Sequence, residues 1–191
     1  MAAPAVPEGG QIPIRPQAPS PRTTDVPMAF TGPEYGRGML WTLLIFNVGF
    51  PVSMLLWGLL DMLLSDGLSA AVATDYGSMG VSMIAMVMIC APISAGVAVT
   101  YGGAAAYGLG RLLQRDGRRW LHRIAFAALG TLTGAMTTWL FGLTANMHWT
   151  DFAAMLPAIL MTAVSVWAGW EITSRKALRS DAREREAAAR L

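Results

Sequence analysis

Apolar residues in this chain fall into four long blocks, and the polar residues are confined to the stretches between them. The blocks cover 38–64, 81–110, 124–143 and 152–170. A helix needs about 20 apolar residues to cross a hydrocarbon core of ~30 Å, so each block is long enough. The first two exceed that length, which predicts tilting or kinking. None carries the charged face that a soluble helix of such length would need. The pattern predicts an all-α integral membrane protein: a four-helix bundle of transmembrane helices, flanked by a disordered N-tail and a helical charged C-tail.

The flanks set the domain organisation. Residues 1–37 form a Pro-rich tail, with eight of the eleven prolines before position 34, and predict a disordered cytoplasmic segment without the apolar core of a secretory leader. Residues 38–171 make the transmembrane domain. Residues 172–191 lack Gly and Pro and place Asp181 before Arg185 and Glu186 before Arg190 in the favourable acid-first order, as Glu171 stands to Arg175. They predict a charged cytoplasmic helix.

Composition strengthens the membrane reading: 54% of residues are hydrophobic, 14% are charged, and mean hydropathy is +0.45. The distribution of charge adds an orientation. All 14 Lys and Arg precede the first block, lie between the second and third, or follow the fourth. The connections at 65–80 and 144–151 contain none. By the positive-inside rule both termini are cytoplasmic, and the expected location is a plasma or inner membrane crossed four times. A sequence pI near 9.0 would otherwise suggest nucleic acid, but topology already accounts for the basic residues. The expected partners are the bilayer itself, anionic lipid headgroups at the basic flanks, and either further copies of the chain or another membrane protein.

Small residues predict how the helices meet, because association within lipid depends on close backbone approach. The second block carries Ser94, Ala98, Gly102, Ala106 and Gly110; the third carries Gly130, Gly134, Thr138 and Gly142. The connection between these blocks is short, so the two rows are expected to face each other in an antiparallel hairpin. In the first block Asn47 lies four residues before Pro51, which frees the Asn47 carbonyl and predicts a polar kink satisfied by a neighbouring helix. Pro92 and Pro157 are expected to bend their helices likewise.

Candidate chemistry is sparse. Asp61 and Glu171 lie near the ends of their blocks, and no charged residue falls near a centre, where proton-coupled transport would place one. His122 and His148 fall at opposite flanks, which excludes a bis-histidine haem site within one chain. The single cysteine, Cys90, excludes an internal disulfide. Gly80 and Ser82 spell a GxS that resembles the rhomboid proteases in three residues, though four spans are fewer than that fold uses.

Met79, Met83, Met86 and Cys90 share a helix face within an arc of about 60° and offer thioether and thiol ligands that suit Cu(I). The MxxxM of Met79 and Met83 resembles that of membrane copper transporters, but the likeness stops there, since those have three spans and a Met-rich outer tail. Met79 and Cys90 stand about 16 Å apart along an ideal helix, so packing is the expected role of this row. No cofactor or catalytic role is expected. The function anticipated from sequence is a non-catalytic accessory, scaffold or regulatory membrane subunit, with a small oligomeric transporter or channel as the alternative.

Overall fold

The computed structural model describes residues 20–65, 76–144 and 155–190. They form five helices: α1 (Gly32–Ser65), α2 (Tyr76–Val99), α3 (Tyr101–Leu113), α4 (Arg119–Thr144) and α5 (Leu156–Ala188). Four of these, all but α3, are long and apolar enough to cross a membrane, and no strand occurs among the described residues. Their outward faces are apolar: Val48, Ile84, Met88, Leu132 and Leu160 are all exposed. A surface of this kind is compatible with a membrane helical protein.

α1 begins six residues before the first apolar block, and its start is a capping box. The Thr31 hydroxyl accepts from the Glu34 N–H at 3.3 Å, and the Glu34 carboxylate accepts from the Thr31 N–H at 2.8 Å. Pro33 falls in the first turn, where it costs no helical hydrogen bond. The expected tail of 1–37 is therefore too long at its C-terminal end. Residues 20–31 also pack on the bundle: Ala29 is buried, and the Met28 N–H donates to the Gln114 carbonyl just past α3. The rest of that tail, 1–19, lies outside the described residues.

α5 is the hub. α1 and α4 each pack along it in antiparallel fashion, and α2 lies on α1. The expected hairpin between the second and third blocks is corrected on two counts. The second block is two helices, broken at Thr100, whose φ of −92° and ψ of −115° leave the helical region. Gly102 and Gly103 follow, and both are weak helix formers. A Cβ on Gly102 would lie 2.9 Å from the Val97 carbonyl oxygen, so the break needs bare backbone there.

The second correction concerns partners. The row on α4 meets α5: a Cβ on Gly130 would approach Ala163 Cα to 2.7 Å, and one on Gly134 would approach Ile159 Cα to 3.1 Å. Thr138 and Gly142 are buried on the same helix. The other row disperses. Ser94 bonds α1, Gly110 receives the Phe30 ring, and a Cβ on Gly102 would stand 3.5 Å from Thr133 of α4. The break at Thr100 separates the two halves of the row, so α4 finds its small-residue partner in α5 instead.

Asn47 joins α1 to α2, donating from Nδ2 to Ser94 Oγ at 2.9 Å and to its own helix at the Leu43 carbonyl, also at 2.9 Å. Pro51 and Pro92 lie inside α1 and α2, whereas Pro157 occupies the first turn of α5 and bends nothing. Interhelical hydrogen bonds between such side chains are modest. A double-mutant cycle of Asn47→Ala and Ser94→Ala is expected to give a coupling of about 0.6 kcal/mol, read from thermal unfolding in detergent. A coupling indistinguishable from zero would remove this bond from the α1–α2 seam.

Candidate functional site

Between α2 and α4 the helices leave a cavity of about 430 Å³, within the ~300–1,000 Å³ range of small-molecule sites. Residues of all five helices line it, but α2 and α4 share no extensive seam of their own. The walls are mainly apolar. Most of the hydroxyls on them are turned into their own helices: Thr137 donates to the Thr133 carbonyl, Thr162 to Ala158, and Thr42 to Gly38. Tyr101 and Thr137 share a short hydrogen bond of 2.5 Å between α3 and α4.

At the basic end the walls change character. The His122 ring stacks on Trp170 at 5.2 Å between centroids, and Phe126 stacks on the same indole at 5.6 Å. His122 is 2% exposed. Its Nε2 lies 2.8 Å from the Asp116 carbonyl oxygen, which can only accept, so Nε2 carries the proton and donates. In the neutral ring Nδ1 is then an acceptor. It is buried and has no partner among the described residues, and the same holds for Thr173 Oγ1, one turn past Trp170.

Two ionic clasps close this end. Glu171, one residue beyond the apolar block, faces three arginines: Arg123 at 2.8 Å, Arg175 at 2.5 Å and Arg119 at 3.6 Å. The hydrogen bond from Arg123 holds its carboxyl below the usual carboxylate range, against the upward push of burial. Arg22 makes the second clasp, reaching Glu34 at 2.9 Å and Asp181 at 3.1 Å, with Ser20 donating to the same Asp181 carboxylate. These three charged side chains are each at least 85% buried. Nearby, Lys176 Nζ sits 5.1 Å over the Trp41 ring, a cation–π contact.

The candidates drawn from sequence scatter. Met86 and Cys90 line the central cavity, but Met83 lines a separate groove between α1 and α2 that also holds Asn47 and Pro51. The sulfur row is thus divided between two surfaces. Met79 and His148 lie outside the residues whose side chains are described. Ser94, Ala98, Ala106 and Gly110 border the central cavity. The Glu171–Arg175 pair is present as the spacing suggests, whereas Asp181 pairs with Arg22 and leaves only its backbone carbonyl to Arg185. Sequence reading missed the Arg22 clasp and the buried His122. Arg22 is 159 residues from Asp181, and no local pattern links them.

Compared with known protein families, curated proteins and solved structures, the chain matches none.

Proposed function

We propose that this is a four-span membrane protein with both termini cytoplasmic, acting as a non-catalytic subunit that presents a fixed cytoplasmic platform to a partner. The observation that carries this reading is the pair of ionic clasps. α5 runs on for 17 residues past Glu171, from 172 to 188, or about 25 Å of helix. The Arg22 bridge ties that extension to the N-terminal segment and to the start of α1. Beyond Asp181 its side chains, including Arg183, Glu184 and Glu186, are exposed. A charged helix held in one position loses little freedom on docking, which favours recognition.

Native mass spectrometry of the protein extracted gently from its own membrane tests this. A complex with a second polypeptide is expected, and Asp181→Asn should release that partner while the four-span core remains folded by circular dichroism. Assemblies of the 20.4 kDa chain alone would sink the subunit reading. They would favour the second reading, a small oligomeric transporter, for which the supporting observation is the cavity between α2 and α4. Topology is tested separately: a reporter fused to the C-terminus should be found in the cytoplasm.

A further inference from the structure

We infer that the basic end of the central cavity binds a neutral lipid by its hydroxyl head, with His122 Nδ1 as the acceptor. The imidazole Nε2 proton is committed to the Asp116 carbonyl, and the ring plane is fixed by stacking on Trp170. The remaining nitrogen is a lone pair held in an almost water-free place, 98% of the residue being buried. An unpaired buried acceptor carries a desolvation cost that a donor relieves.

Everything around it narrows the chemistry of that donor. The cavity walls above the ring are apolar, so the body of the ligand is apolar. Of the charged side chains that line the cavity, Arg22 and Glu34 pair with each other at 2.9 Å, whereas Arg119, whose Nε and Nη2 are buried without a hydrogen-bond partner, lies outside its lining. A phosphate or carboxylate would turn its own lone pairs toward Nδ1. A hydroxyl donates to it, and its oxygen can still accept from Thr173, whose Oγ1 is also buried without a partner in the lining of the same cavity. Its position also suits a lipid: the ring lies at the end of the apolar blocks, at headgroup depth, and the weakly closed α2–α4 side gives acyl or isoprenoid chains a route from the bilayer. The inference does not depend on the subunit reading, since the pocket is internal to one chain.

The test is photolabelling of the full-length protein in nanodiscs with three probes: a diazirine-bearing long-chain alcohol, its methyl ether, and the matching fatty acid. The alcohol is expected to label peptides carrying Phe126 or Trp170 at least about fivefold more than the ether, the effect of one hydrogen bond in a desolvated site. The fatty acid should label no better than the ether. His122→Phe keeps a flat ring beside Trp170 and removes the acceptor; it should bring alcohol labelling down to the ether level. Equal labelling of the wild type by alcohol and ether overturns the proposal without any variant. Preferential labelling by the fatty acid does so too, as does labelling confined to the α1–α2 groove.

Discussion

Gly169→Leu is expected to yield no folded bundle, and Gly169→Ala to lower stability by about 1–3 kcal/mol, the usual cost of overpacking a close contact. A Cβ here would collide with Thr42 Oγ1 and come within 2.8 Å of the Gly38 carbonyl oxygen and 3.0 Å of the Thr42 N–H, and both of the latter are backbone atoms that cannot swing aside. Thr42 is itself pinned, donating to that same Gly38 carbonyl at 3.0 Å. The crossing of α1 over α5, the most extensive seam in the molecule, is built on these three residues. Gly96 provides the opposite sign. Nothing lies within 4 Å of a Cβ there, so Gly96→Ala should raise stability by about 0.5–1 kcal/mol through helix propensity alone. Thermal unfolding by circular dichroism in one detergent reads all three variants. Recovery of Gly169→Leu with a wild-type midpoint would mean that α1 and α5 do not cross here.

The contrast between those glycines shows what was legible in the chain. Hydropathy alone marks the four apolar helices, because a run of about 20 apolar residues is a composition signal independent of its neighbours. Spacing alone finds the α4 row of Gly130 and Gly134, but spacing names no partner. α5 carries a row of its own, Ser165, Gly169, Thr173 and Ala177, at the same four-residue step. The tryptophans at 167 and 170 and the charges that follow obscure it, because they make the segment read as an interface. The break at Thr100 is equally quiet in sequence: a run of Ala, Gly and Tyr stays apolar whether the helix is continuous or broken. The capping box of Thr31 and Glu34 was readable from its Thr-x-x-Glu spelling, yet it falls inside a proline-rich stretch whose composition points to disorder. His122 is the hardest case, since a lone histidine at a span end has the same signature whether its ring is solvated or buried against an indole.

Glu171→Gln is expected to cost about 1–3 kcal/mol at neutral pH, below the full loss on breaking a buried ion pair, because the three arginines it leaves behind are 41–53% exposed and can turn to water or lipid phosphate. The carboxylate itself is 7% exposed and cannot. Truncating one arginine should matter far less: Arg175→Ala is expected within about 0.5 kcal/mol of wild type, the usual worth of an exposed pair four residues apart. The pH dependence separates charge from shape. Glu171 has its folded-state pKa depressed, with the Arg123 hydrogen bond as the largest cause. Its contribution is therefore complete above the ordinary carboxylate value and is lost as pH falls through that value toward the depressed one. Wild type and Glu171→Gln should differ most at pH 7 and converge as pH falls through the depressed value, where the native carboxyl also becomes uncharged. Unfolding midpoints of both proteins across that range decide the matter. A gap that persists unchanged into acid would assign the role of Glu171 to its packing, and the clasp between the start of α4 and the middle of α5 would then be steric rather than ionic.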